Sequence, residues 1–233
     1  MSAGVATIWL DRPEKANALS AAAVEVLSAQ VASAIADPAV HTLVFRGRGK
    51  HFCTGFDLSG LEAETDATLC ERFVALEKLL QAVWHAPVRT VAVATGRAWG
   101  AGADLFASCD LRACTAEATI RFPGTAFGIV LGTRRLVELV GWDRARPLVT
   151  EGATHDAANA LAAGLATDLV EGDIDAWVAA RCPPPAAHRE TLTQVREATR
   201  PDHRAADLAS LVRSASRPGL VRRIEAYRAG LKK

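Results

Sequence analysis

The sequence predicts an α/β fold with a largely parallel sheet, followed by a helical C-terminal portion. Two observations carry that prediction. Up to about residue 122, strand-like and helix-like stretches alternate, the pattern of repeated β-α units with parallel strands. Beyond Asp173 the pattern is helical throughout, interrupted by Cys182-Pro-Pro-Pro185. The expected division is therefore an α/β core over residues 1–172 and a helical region over 173–233, and the chain is long enough to bury a substantial core.

Val5, Ile8 and Leu10 open the first strand, which stops at Asp11-Arg12-Pro13, where proline removes a ladder donor. Ser20 is placed to cap a helix whose apolar face is Val24, Leu27, Val31 and Ile35, ending at Asp37-Pro38. Thr42–Phe45 is a short buried strand. His51–Leu58 fits neither a clean helix nor a clean strand. Leu69, Phe73, Leu76, Leu80 and Val83 mark a second amphipathic helix, stopped near Pro87. The apolar run Thr90–Thr95 is a strand, and Asp110–Cys114 and Ala118–Phe122 are two more. Short helices follow over 134–140, 142–149 and 156–163, broken by Gly141, Gly152 and Gly164, with a last strand over 167–171.

Composition narrows the function classes. With 27 basic and 26 acidic residues the net charge is +1, which offers no footprint for nucleic acid or an anionic membrane. No apolar run approaches the roughly 18 residues of a membrane helix. The N-terminus leads directly into a strand, so no secretory signal is expected. Five cysteines and six histidines are scattered without metal-ligand spacing, pointing to reduced, mostly buried thiols in a cytoplasmic protein and to no metal site.

The chemistry centres on Gly96-Arg-Ala-Trp-Gly-Ala-Gly-Ala-Asp-Leu105. A strand runs into a turn of small residues that opens a helix, so backbone N–H groups can approach a ligand closely. Asp104 lies just inside. The segment lacks the third glycine of a dinucleotide fingerprint, because position 105 is leucine.

Read together with its surroundings, the chain resembles the crotonase superfamily, the enoyl-CoA hydratase/isomerase family. Ile8-Trp-Leu-Asp-Arg-Pro-Glu-Lys-Ala-Asn-Ala-Leu19 is similar to the family's L-x-R-P-x-x-x-N-A-L, and Phe52-Cys-Thr-Gly-Phe-Asp-Leu58 to its F-C-A-G-x-D-L. Gly96–Leu105 with Cys109-Asp-Leu-Arg112 fits G-x-A-x-G-G-G-x-x-L…C-D-x-R, and Leu148–Gly152 with Ala160–Leu165 fits a fourth motif.

The resemblance implies a spiral ββα core, a helical C-terminal region used in trimer assembly (homotrimer or dimer of trimers), and an acyl-CoA substrate, with no cofactor beyond the coenzyme A that the substrate carries. It implies that the amides of Phe56 and Ala101 hold the thioester oxygen as an enolate develops, with Asp104 as acid or base. Lys15, Ala16, Ala18, Thr54, Gly55, Asp57, Leu58, Gly100 and Gly124 are implied to border the thioester and coenzyme A, Lys15 as a point charge for phosphate. Family members usually have glycine where Ala101 stands, and a methyl group there requires a negative φ.

Two departures matter. Asp104 stands where the family has glutamate, one methylene longer, and Pro123-Gly124 stands where it has Pro-Glu, leaving no second carboxylate. The following loop, Gly128–Leu136, is about three residues shorter than the family's and lacks its proline. His51, Arg121, Thr125, Arg134 and Arg135 are polar neighbours of this altered wall without a positional warrant for catalysis. Three readings remain open. These are hydratase/lyase-type chemistry or another enolate reaction on an acyl-CoA, acyl-CoA binding without turnover, and a coenzyme-independent binding module.

Overall fold

The computed structural model describes residues 4–230. The outermost residues of the two expected regions, 1–3 and 231–233, lie outside the described residues. The elements are β1 (Val5–Leu10), α1 (Ala21–Ala36), β2 (Thr42–Gly47), α2 (Asp66–Trp84), β3 (Arg89–Ala94), β4 (Arg97–Trp99), α3 (Ala101–Ala107), β5 (Leu111–Cys114), β6 (Thr119–Arg121), α4 (Thr133–Val140), α5 (Trp142–Thr150), β7 (Thr154–Asp156), α6 (Ala157–Ala162), β8 (Asp168–Leu169), α7 (Ile174–Arg181), α8 (Arg189–Thr199), α9 (Arg204–Ala215) and α10 (Leu220–Gly230).

Local chemistry sets the helix starts. The Ser20 hydroxyl accepts from the Ala23 N–H at 3.2 Å and opens α1, which buries Val24, Leu27 and Val31. Thr65 and Thr68 form a reciprocal capping box at the head of α2. That helix buries Leu69, Phe73, Leu76 and Leu80, each side chain contributing about 1.5–3 kcal/mol.

The main sheet runs β1-β2-β3-β5-β8 and every pairing in it is parallel. One face, with Ile8, Leu10, Phe45 and Ala92, joins the large core beneath the helices. The other carries Val44, Val91, Val93 and Ala113, covered by Val178 of α7 and by Cys182. Buried Arg112 ties α3 and β5 to the approach to β8, donating to the carbonyls of Cys109, Asp110, Leu165 and Gly164.

A second sheet, β4-β6-β7, was not expected as such. β4 lies inside the small-residue turn, and its pairing with β6 on one side and Cys53 on the other stabilises a segment too short for periodicity to reveal. β7 pairs antiparallel with β6. The expected strand over 167–171 narrows to Asp168–Leu169.

The C-terminal helices lie back on the core. Gln81 of α2 donates to the Arg204 carbonyl at 2.9 Å where α9 begins. At the head of α2, Asp66 accepts from the N–H groups of Gly219 and Val221 at 2.6 and 2.9 Å, capping α10. Arg223 and Arg228 of α10 then donate to the carbonyls of Phe127 at 2.9 Å and Leu58 at 3.0 Å. Among the described residues, no helix is long and apolar enough to cross a membrane, and no cluster of His, Cys, Asp and Glu could hold a metal ion.

Candidate active site

Two backbone segments meet at the site. Cys53 N–H donates to the Arg97 carbonyl at 3.0 Å and Trp99 N–H to the Cys53 carbonyl at 2.9 Å, so the Phe52–Leu58 segment runs alongside β4. Gly55 (φ +94°) is the point of closest approach. A Cβ there would stand 2.7 Å from the Trp99 carbonyl oxygen and 3.1 Å from the Ala101 nitrogen, so a side chain would force the segments apart. The positive φ of the turn falls on Gly100, at +53°, and Ala101 follows as the first residue of α3 with a negative φ. The methyl group of Ala101 is accommodated without strain. As the first helical residue, Ala101 has an N–H with no intrahelical acceptor. Among the described residues, neither that N–H nor the Phe56 N–H donates to a backbone carbonyl outside the regular elements.

Asp104 sits one turn into α3, 7% exposed. Among the described residues its carboxyl accepts no hydrogen bond, and burial raises its pKa well above the usual carboxylate range. Arg135 opposes that rise and Glu77 adds to it. Gly132, at the N-cap of α4 with φ +64°, makes room for this carboxyl, since a Cβ there would lie 2.2 Å from Oδ1. Behind it, Arg135 donates to both Glu77 oxygens at 2.6 and 2.9 Å, and the two side chains are 2% and 1% exposed. Arg135 also reaches Asp207 at 3.3 Å, which takes a second, bidentate contact from Arg134. Asp104 is therefore a buried carboxyl with a raised pKa, resting beside the Arg135–Glu77 ion pair.

A cavity of about 260 Å³ opens onto these groups. Asp104 is the only carboxylate in its lining, which is otherwise mostly apolar and rich in aromatic rings. Phe56 stacks on Phe73 with centroids 4.2 Å apart at 15°, Phe73 meets Phe127 at 6.5 Å, and Phe127 meets Tyr227 of α10 at 5.1 Å. The guanidinium of Arg72 covers the Phe56 ring at 4.2 Å.

Of the residues singled out in the sequence, Ala16, Thr54, Phe56, Leu58, Gly100, Ala101, Asp104 and Gly124 line this cavity. A Cβ on Gly124 would meet only the Ile129 carbonyl, at 3.5 Å, so the space above it is open. Ala16 adopts φ +49°, and its carbonyl takes hydrogen bonds from the Thr54 N–H and hydroxyl, both at 3.1 Å. Four others lie outside the lining. Lys15 is exposed on the 3-10 turn Pro13–Lys15. Ala18 borders a separate hollow of about 320 Å³ beside Trp9 and α1. Gly55 is consumed in the contact between segments. Asp57 turns away to Arg12 at 2.9 Å and Ser59 at 2.6 Å. Burial pushes its pKa up, and Ser59 and Arg12 outweigh that to hold it below the usual range.

Among the other polar neighbours, Thr125 borders the cavity and donates its hydroxyl to the Val149 carbonyl. His51 accepts at Nδ1 from the Arg97 N–H at 3.2 Å, and burial with Arg97 and Lys50 lowers its pKa. The Cys53 thiol is pushed up to about 12 by burial, which leaves it inert at neutral pH. Sequence reasoning missed Phe73, Phe127 and Tyr227 as site residues. Phe73 reads as part of an apolar helix face, Phe127 was not singled out, and Tyr227 lies on a helix that matched no motif.

Residues 1–178 match the family described as enoyl-CoA hydratase/isomerase. A probable enoyl-CoA hydratase of Mycobacterium leprae is 36% identical over 183 residues, 76% of this chain and 72% of that protein. A putative enoyl-CoA hydratase of Thermus thermophilus is 35% identical over 166 residues, 69% of this chain and 66% of the other. Among solved structures, a putative enoyl-CoA hydratase/isomerase from Bordetella parapertussis superposes with a TM-score of 0.91 at 42% identity, covering 97% of this chain and 95% of that one. An enoyl-CoA hydratase from Bacillus halodurans shares the fold at a TM-score of 0.83 and 20% identity, covering 97% of each chain.

Proposed function

The chain belongs to the enoyl-CoA hydratase/isomerase family, and on that premise we propose that it is an enzyme of hydratase/lyase type acting on an acyl-CoA thioester. The observation that carries this reading is Asp104, the one carboxylate among the described residues of the cavity wall, its pKa raised by burial, on a wall it shares with Ala101 and Phe56. The N–H groups of those two residues receive the thioester oxygen as it gains charge. Each preorganised donor of this kind contributes about 2.7–4 kcal/mol to the transition state.

With Gly124 in place of a second carboxylate, Asp104 serves both ends of the double bond. Water adds its oxygen to Cβ of the enoyl thioester and gives one proton to a carboxyl oxygen of Asp104. The proton already on Asp104 passes to Cα as the enolate collapses. Water has then crossed the C=C bond and Asp104 is again a neutral acid, ready for the reverse elimination. A carboxyl whose pKa burial moves up toward the operating pH suits this role, because the same group can then both donate a proton and take one back.

The wider reading has the protein in the cytoplasm, as a homotrimer or dimer of trimers, with no cofactor beyond the coenzyme A of its substrate. Solution mass measures the assembly. A second reading, acyl-CoA binding without turnover, is favoured by the open space over Gly124. Loss of enoyl-thioester absorbance with crotonyl-CoA and a panel of other enoyl-CoAs separates the two. Turnover that disappears in Asp104→Asn supports the enzyme. Binding of coenzyme A thioesters with no turnover of any of them leaves the second reading standing.

A further inference from the structure

We propose that the cavity selects planar aryl or conjugated acyl groups over flexible alkyl groups of equal carbon number, with Tyr227 as the specificity-determining residue. This rests on the acyl-CoA reading above. Six aromatic side chains line the cavity, Tyr227 among them, and it is the only tyrosine in the chain.

Four of those rings form a continuous series, Phe56–Phe73–Phe127–Tyr227, in which each touches the next. The chain returns from the last ring to the segment of the first. Arg228, the residue after Tyr227, donates to the Leu58 carbonyl at 3.0 Å, two residues beyond Phe56. The rings thus line the cavity in series, and the helix carrying the last of them is fastened to the segment carrying the Phe56 amide.

Contacts hold both ends of the series in place. Phe56 is held between Phe73 and the Arg72 guanidinium. Tyr227 is fixed through α10, which Asp66 caps and which Arg223 fastens to the Phe127 carbonyl at 2.9 Å. Fixed ring faces and edges attract a flat π-system by stacking and edge contacts that an alkyl chain cannot make. An alkyl chain also loses more rotational freedom on entering a space of about 260 Å³. Among the described residues the wall carries one cation, Arg97, which lies over the Trp99 ring at 4.6 Å.

Calorimetric binding of 3-phenylpropanoyl-CoA and nonanoyl-CoA to the full chain tests the proposal. The two are matched in acyl carbon number, and neither carries a double bond to be hydrated. The aryl thioester is expected to bind about tenfold tighter, and Tyr227→Leu to bring the two affinities within about threefold of each other. Tyr227→Phe, which keeps the ring, is expected to keep the preference and controls for folding. Equal affinities in the unaltered chain, or a preference that survives in Tyr227→Leu, overturns the proposal while leaving the acyl-CoA reading intact. Failure to bind either thioester or free coenzyme A overturns both.

Discussion

The two sides of the cavity are built on different terms. The side formed by Thr54–Leu58 and Gly100–Asp104 is a backbone construction, defined by where glycine is obligatory and where an N–H is left over. The side formed by Phe127, Gly132 and Tyr227 is a side-chain construction, assembled from elements far apart in sequence. Arg228 meets Leu58 across 170 residues of chain. The backbone side can keep its geometry through many substitutions, because main-chain atoms are the same in every residue. The side-chain side can change its chemistry one residue at a time, as Gly124 illustrates. The two sides of the cavity can therefore diverge independently.

Asp104 is where the two sides touch, so its removal breaks the comparison most severely. Asp104→Asn is expected to cut the rate of hydration by about 10²–10⁴ with thioester binding retained, measured as kcat against Kd. The same variant reports the protonation state. The folded pKa of Asp104 lies above its unfolded value, so its contribution to stability is full below the ordinary carboxylate range. That contribution is lost as pH rises through the raised folded value. Melting curves across pH should show the parent chain losing ground to Asp104→Asn as pH rises; a constant difference would show that the pKa of Asp104 is not raised on folding.

The ion pair behind Asp104 comes next. Glu77→Gln leaves buried Arg135 with only its 3.3 Å contact to Asp207 and is expected to cost up to about 3–5 kcal/mol in denaturant unfolding. A paired Glu77→Leu, Arg135→Met chain should recover much of that loss, since neither charge is then left alone. Gly132→Ala acts more locally, combining a φ of +64° with a Cβ 2.2 Å from the Asp104 carboxyl. It should cost about 1–3 kcal/mol in stability. The displaced carboxyl should also lower kcat by on the order of a hundredfold. The smallest effect is expected at Lys15, which lies outside the cavity and is exposed. Lys15→Ala should raise KM by no more than a few-fold, an effect that disappears in high salt, as a screened contact worth about 0–1 kcal/mol must.

The sequence made the backbone side legible and the side-chain side only partly so. Ser20, the Val24–Val31 face and the small-residue turn each act within a few residues, so their consequences follow from local rules. The position of Asp104 one turn into α3 follows in the same way. Asn17 belongs to the first motif, but the reason for it needs the structure. It takes φ +58°, and its buried side chain receives the Arg12 N–H and donates to the Arg48 and His51 carbonyls. Phe73 and Phe127 look like ordinary core positions, and only their neighbours turn them into a cavity wall. Tyr227 depends on Asp66 capping α10 from the far end of α2, a long-range contact that periodicity does not report. β4 was hidden because three residues are too few to show a period.

The cap that Asp66 places on α10 also bears on the order in which the molecule is made. The parallel strands β1, β2, β3 and β5 can assemble while later residues are still being synthesised, since each pairs with the strand made before it in the main sheet. The cavity cannot, because its wall includes both Ala16 and Tyr227. Loop closure over such separations comes late in folding. Competence to bind a substrate is thus among the last properties the nascent chain acquires, long after its central sheet is in place.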